Sequence, residues 1–306
     1  MMRLGLLILV ALVARPIAAQ VADVDRFRDL IEEVPQLPLD RSELGVDRSV
    51  TLEGVSAVSV DGQGNIYVLH RPSAGDPVVV LDPEGRFLRS WGVGMYTIPH
   101  GIRVDPAGNV WTVDSNTSKV YKFSAQGDLL LDIQVDVPEG GGRFCGTADI
   151  AFGADDHIFV ADGYCNGRVI KFDSQGQRVL EWGTRGVGPS QFVVVHSVAV
   201  GPNGLVYVAD RDNGRLRRFD QRGQFLGMWE YAAQLFSVTF SPSGDLYLSV
   251  SLGGDPPEDY VIKIDPATGE MLGRVDVFGH ELAFSPDGSL LPATVEDVVL
   301  LFRPRS

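Results

Sequence analysis

Five histidines carry most of the chemical information in this 306-residue chain, because three of them recur at a regular interval. His100, His196 and His280 are spaced by about two periods of a repeat of roughly 40 residues. The first two open short apolar runs, His100-Gly-Ile-Arg-Val104 and His196-Ser-Val-Ala-Val200. Three imidazoles brought to one point form a ligand set for a late first-row metal, and three ligands with an open fourth position is the pattern of catalytic zinc. A single histidine in a β protein is ordinarily a satisfied core or surface residue, so the shared register is what sets these three apart. Of the others, His157 reads as plain surface, and His70, beside Arg71, reads as a candidate neighbour of the site.

The elements that must position these residues emerge when the chain is laid on itself. Six copies of one pattern occupy residues 56–91, 100–133, 148–182, 196–229, 236–275 and 280–302. Each begins with a short apolar strand and a turn such as Asp105-Pro-Ala-Gly-Asn109. An alternating strand such as Val206-Tyr-Val-Ala209 follows, then a third such as Val169-Ile-Lys-Phe172. A further glycine turn leads to a fourth strand ending near Trp91, Trp182 or Trp229, which are expected to be packing residues. Period-2 alternation broken by frequent turns predicts antiparallel strands, and four strands per copy is a propeller blade. The prediction is all-β: a six-bladed β-propeller over residues 48–304. The last copy stops after its third strand, so a strand from residues 37–50 is expected to pair there and close the ring. Within the N-terminal segment 20–47, residues 21–36 carry Val24, Phe27, Leu30 and Ile31 at helical spacing and predict a short helix against the outside.

Aligned on the first strand, Ser56, His100, Ala148, His196, Phe236 and His280 are equivalent. First strands line the central channel, so histidines on alternate blades converge on the axis at one depth. If the first strand begins at the metal end, the loop joining the second and third strands lies there too. That loop carries Arg71 in blade 1, Tyr164 in blade 3 and Arg211 in blade 4. The connection into blade 3, at the same end, carries Cys145, which can meet Cys165 and lock the loop bearing Tyr164. Closing a loop of about 20 residues is worth on the order of 3 kcal/mol in the chain-entropy model. Asp114, Asp162 and Asp210 recur at the ends of second strands and are expected to accept backbone hydrogen bonds in the turns that follow.

Composition narrows the setting. A charged start at Arg3, an apolar run from Leu4 to Ala14 and a small-residue exit at Ala18-Ala19 read as a signal peptide over residues 1–19. The run is short for a bilayer span, and no later stretch replaces it. The chain is therefore expected to be secreted or periplasmic, where a pair of cysteines ordinarily forms a disulfide. The formal net charge is −14, which argues against nucleic acid and anionic membranes as partners.

Four runs carry a family resemblance: Pro99-His-Gly-Ile-Arg-Val-Asp105, Asp162-Gly-Tyr-Cys-Asn-Gly-Arg168, Gln191-Phe192 with His196-Ser197, and Ala209-Asp-Arg-Asp-Asn-Gly-Arg215. Over residues 48–303 the chain resembles the catalytic core of peptidyl-α-hydroxyglycine α-amidating lyase, also called peptidylamidoglycolate lyase, which implies a six-bladed β-propeller of NHL-type repeats. The resemblance implies zinc on His100, His196 and His280, a catalytic Tyr164, and catalytic or substrate-binding Arg71 and Arg211. It further implies a structural calcium held by the backbone carbonyls of Val58 and Ile102 and by the carboxylate of Glu281, where the family usually has Asp. Hard oxygen ligands of that kind suit Ca²⁺. This sequence departs from the family in having Phe278-Gly279-His280 in place of Pro-His. Tyr207 and Arg218 stand where a second disulfide would be, and the last blade is short. No histidines remain for the copper monooxygenase partner of animal versions, so this chain is expected to carry only the second half-reaction. That reaction splits a peptide or small-molecule α-hydroxyglycine into an amide and glyoxylate. Tyr164 is the expected base, its pKa pulled towards neutrality by two arginines and a dication, and the protein is expected to act as a monomer.

Two other readings compete. A non-enzymatic secreted propeller that binds protein or glycan has no use for three channel histidines in register. A lactonase-like metal-dependent hydrolase would be expected to use carboxylate and Asn ligands in the channel, which this register lacks.

Overall fold

The computed structural model describes residues 23–138 and 140–305; the expected leader over residues 1–19 lies outside the described residues. Each copy of the repeat is an antiparallel sheet. Blade 1 contains Ala57–Val60, Ile66–Leu69, Val78–Leu81 and Phe87–Trp91. Blade 2 contains Pro99–Val104, Val110–Asp114, Lys119–Phe123 and Leu129–Gln134. Blade 3 contains Asp149–Phe152, Ile158–Asp162, Arg168–Phe172 and Arg178–Trp182. Blade 4 contains Val195–Val200, Val206–Asp210, Arg215–Phe219 and Phe225–Glu230, and blade 5 contains Gln234–Phe240, Leu246–Ser251, Asp259–Ile264 and Met271–Val275.

Blade 6 is assembled from both ends of the chain. Leu291–Val295 pairs with Val298–Pro304, and Leu39–Glu43 pairs antiparallel with the latter, Arg41 opposite Phe302. At the channel, a single bridge between Leu282 and Ala293 stands where other blades have a full first strand. An early strand thus completes the last sheet and leaves no open seam in the ring, the arrangement that removes sticky edges from all-β architectures.

Burial follows position in the blade. Second strands such as Ile66–Leu69, Ile158–Asp162 and Val206–Asp210 are buried along their whole length, because a neighbouring blade covers each face. The outer strand Phe87–Trp91 is partly open to solvent. Adjacent blades interlock where an outer-strand tryptophan meets the next blade's glycine turn. Trp91 lies on Gly127 (φ +95°) and Trp182 on Gly223 (φ +80°), and a Cβ at either glycine would sit 2.8–2.9 Å from the indole. Glycine is required there both for the left-handed backbone and for the close approach.

The helix Val24–Glu33 is capped by Asp23, whose side chain accepts from the Asp25 N–H. Phe27 and Ile31 are fully buried against Tyr231, Leu235 and Leu248. Arg28 Nε reaches Glu258 at 2.9 Å. The chain then runs beside the outer strand of blade 5 through a parallel Gln36–Arg274 bridge before it joins blade 6. Tyr207 and Arg218, at the positions of the missing second disulfide, are cross-strand partners in blade 4, with the Arg218 guanidinium 4.2 Å from the Trp229 ring. Packing and a cation–π contact occupy the place of that cross-link.

Candidate active site in the propeller channel

His100 and His196 stand in the innermost strands of blades 2 and 4, and His280 stands just ahead of the Leu282 bridge that takes the place of that strand in blade 6. Their ring centroids are 4.9–5.0 Å apart, and one nitrogen from each lies within 4.8 Å of the other two. The backbone fixes which nitrogen that is. His100 Nδ1 bonds the Ala148 carbonyl at 2.8 Å, His196 Nδ1 the Phe236 carbonyl at 2.6 Å, and His280 Nδ1 the Ser56 carbonyl at 2.8 Å. Those acceptors are the equivalent residues of the next blade in each case, so the repeat supplies both the ligand and the group that orients it. A carbonyl only accepts, so each Nδ1 carries the proton and each Nε2 presents its lone pair to the axis.

Electrostatics keep the three rings neutral. Burial, then the neighbouring rings and guanidiniums, hold His100 and His196 well below the ordinary histidine range, while burial and Arg71 bring His280 down to about 4. Neutral imidazoles are the form that binds metal. His196 Nε2 is buried with no hydrogen-bond partner, an expensive state for a polar atom that a metal ion would relieve. The donor set therefore fits a metal with three nitrogen ligands.

The three loop residues gather at this end. The Tyr164 hydroxyl donates to His100 Nε2 at 2.7 Å, and its ring meets Phe144 at 5.4 Å. The Arg211 guanidinium lies 5.7 Å from the Tyr164 ring and 5.4 Å from the Phe236 ring, held by Asp212 at 2.8 Å. Arg71 Nε donates to the Pro99 carbonyl at 3.1 Å, next to His100, and its charge acts on Tyr164. Burial pushes the Tyr164 phenol up, outweighing the opposite pull of Arg211 and Arg71. The two arginines alone thus do not bring it to neutrality.

The backbone explains this convergence. Asp114 Oδ2 accepts from the N–H groups of Thr97 and Ile98, just before His100, and its Oδ1 accepts from Asn116 and Thr117. Asp210 likewise accepts from the Val193 N–H ahead of His196. These carboxylates fasten the linker into each histidine as well as the turns that follow. Asp162 instead binds the Asn166 amide and the Arg168 guanidinium. Gly163 runs so close to blade 4 that a Cβ would lie 1.9 Å from the Val195 carbonyl oxygen. Cys145 and Cys165 are disulfide-bonded, with Cα atoms 4.7 Å apart, so the loop bearing Tyr164 is tied to the segment entering blade 3. Such a bond fits an extracytoplasmic protein. Opening it with a phosphine reductant, which spares the histidines, should lower unfolding stability by about 3 kcal/mol. A denaturant midpoint that does not move would mean the loop is held without it.

His70 does not join the site: its Nδ1 accepts from the Glu53 N–H and its Nε2 bonds the Asp76 carbonyl, fixing the loop that carries Arg71. His157 bonds Ala154 on the surface. Below the histidines lies a buried polar cluster that the pattern of motifs does not single out. Arg103 Nη2 donates to Asp149 Oδ2 at 3.0 Å and to Glu281 Oε1, and its Nη1 reaches the Leu282 carbonyl at 3.3 Å. Val58 and Ile102 occupy first-strand positions equivalent to Leu282. With a guanidinium on the Glu281 carboxylate, the residues present do not fit a calcium ion there. The available signal was a charge inside an apolar innermost strand, Gly101-Ile102-Arg103-Val104.

Comparison with known proteins agrees with this architecture. An NHL-repeat family model matches residues 192–219. The chain is 30% identical over 77% of its length to peptidyl-glycine alpha-amidating monooxygenase B of Xenopus laevis, covering 32% of that protein. It is 30% identical over 69% of its length to peptidyl-alpha-hydroxyglycine alpha-amidating lyase 1 of Drosophila melanogaster, covering 48% of that protein. It is also 31% identical over 70% of its length to mouse NHL repeat-containing protein 3, covering 67% of that protein. The chain thus spans a third to a half of the length of the two amidating relatives. By its repeats, its blade order and these relatives, the chain belongs to the NHL-repeat β-propeller family that is related to the peptidyl-α-hydroxyglycine α-amidating lyases.

Proposed function

We propose that this chain is a zinc-dependent lyase that cleaves an α-hydroxyglycine, peptidyl or N-acyl, into an amide and glyoxylate, working as an exported monomer. The observation that carries this reading is a single arrangement: three Nε2 lone pairs on the axis, a phenol hydroxyl 2.7 Å from one of them, and two guanidiniums at the same end of the channel.

His100, His196 and His280 would hold the metal through Nε2, and a zinc ion there supplies Lewis acidity towards the substrate's hydroxyl oxygen. Tyr164 in its phenolate form takes the hydroxyl proton. The O–H electrons become the carbonyl of glyoxylate as the C–N bond breaks, and the nitrogen takes that same proton from the Tyr164 phenol and leaves as the amide, which regenerates the phenolate. Arg211 and Arg71 favour the phenolate, and either offers paired N–H donors that match a carboxylate, the group every α-hydroxyglycine carries. Phe144 packs against the Tyr164 ring, and Phe236 lies beneath the Arg211 guanidinium.

The test is release of glyoxylate from an N-acyl α-hydroxyglycine by the purified full chain, with metal content measured on the same sample. One zinc per chain and glyoxylate in step with amide are expected. A zinc-loaded protein that releases none from peptidyl, N-acyl or ureido adducts would sink the proposal and leave a binding propeller or a different hydrolase.

A further inference from the structure

We propose that the side chain of Arg103 takes the place of a structural calcium in the channel, so that this propeller is braced by its own guanidinium and needs no divalent ion at Glu281.

The geometry is that of a filled site. Asp149 Oδ2 accepts from Arg103, from the Ser197 hydroxyl at 2.7 Å and from the Val198 N–H at 3.2 Å, while its Oδ1 accepts from the Ile150 N–H at 2.8 Å. Glu281 Oε1 accepts from Arg103 and from the Ser237 hydroxyl at 2.8 Å. Ser197 and Ser237 in turn accept from the N–H groups of Val238 and Leu282. Asp149, Ser197, Ser237 and Glu281 all occupy the position just after the histidine register, on blades 3, 4, 5 and 6. Arg103 comes from blade 2 and reaches across the channel. One cation and two hydroxyls therefore knit five blades immediately beneath the candidate metal centre.

Calcium takes roughly 6–8 oxygen ligands at about 2.3–2.6 Å. In this cluster Glu281 Oε2 is the one carboxylate oxygen without a partner. A divalent ion on the same carboxylate would also place two positive groups against one negative one. Arginine supplies the planar, paired donors that buried carboxylates accept best and stays charged when buried. Asp149 and Glu281 hold it so, although burial itself opposes the charge.

The experiment uses the full chain loaded with zinc, exposed to calcium chloride and desalted, with magnesium chloride as control. Wild type should retain no stoichiometric calcium, and its melting temperature should not respond to millimolar calcium. Arg103→Ser leaves two buried carboxylates without their cation. It should melt lower by roughly 10 °C, bind one calcium per chain and recover most of the loss with calcium but not magnesium. Wild type that retains one calcium per chain, lost in Glu281→Gln, would overturn the proposal. If Arg103→Ser does not fold even with calcium, the wild-type stoichiometry decides alone. None of these readouts depends on lyase activity.

Discussion

Replacing His196 with alanine should remove the metal and the activity together while leaving the propeller folded. His196 is the cleanest of the three to change. Its Nδ1 bonds one backbone carbonyl and its Nε2 has no partner, whereas His100 also holds the Tyr164 hydroxyl, so its loss would confound two roles. The unpaired Phe236 carbonyl should cost about 1–3 kcal/mol of stability, which a ring of six interlocked blades tolerates. Two imidazoles make an incomplete zinc site. Affinity should therefore fall by more than the roughly 10–100-fold typical of losing an outer partner of a ligand, and glyoxylate release should fall to background. Excess zinc should restore little, in contrast to wild type stripped by a chelator, which should regain full activity. His157→Ala, on the surface, serves as the control and should retain zinc and turnover. A His196→Ala protein that holds zinc as wild type does would show that the three rings do not act as one ligand set, and the lyase reading would fall with it.

The parts of this molecule that could be read from sequence are those set by period. Glycine turns and alternating apolar strands recur because each blade must bury two faces, and that recurrence gives blade number and strand direction. It also puts His100, His196 and His280 in one register, since equivalent residues of a closed ring must lie at equal depth. Tyr164, Arg71 and Arg211 followed from strand direction alone, because a loop's end of the propeller does not depend on side-chain conformation. What period cannot express is reach. Arg103 crosses the channel to Asp149 and Glu281 because its side chain is long, and nothing in the spacing of these residues records that contact. The carboxylates of Asp114 and Asp210 show the same limit. Their turn role is local, but their bonds to Thr97, Ile98 and Val193 depend on the linker folding back over the second strand. The sign of the Tyr164 shift was out of reach for a related reason: two neighbouring guanidiniums can be inferred from loop positions, but the burial that outweighs them can be seen only once the loop is packed.

Tyr164→Phe should give the second large effect, and of a different kind. Phenylalanine keeps the ring that packs against Phe144 and under Arg211, so the loop, its disulfide and the three imidazoles stay in place. The variant loses only the oxygen bonded to His100 Nε2. Zinc content and melting temperature should therefore match wild type, whereas turnover should fall about 10²- to 10⁴-fold, the usual cost of removing a general base. KM should change little, since the guanidiniums available to the substrate carboxylate remain. The pH profile separates this role from a positioning one. A base acts when deprotonated, so wild-type turnover should rise with pH through the Tyr164 titration. In the phenylalanine variant the limb should vanish and the residual rate run flat. A variant that keeps the limb while losing rate would mean that another group takes the proton and that Tyr164 only positions the substrate. Full wild-type turnover would exclude it from the chemistry altogether.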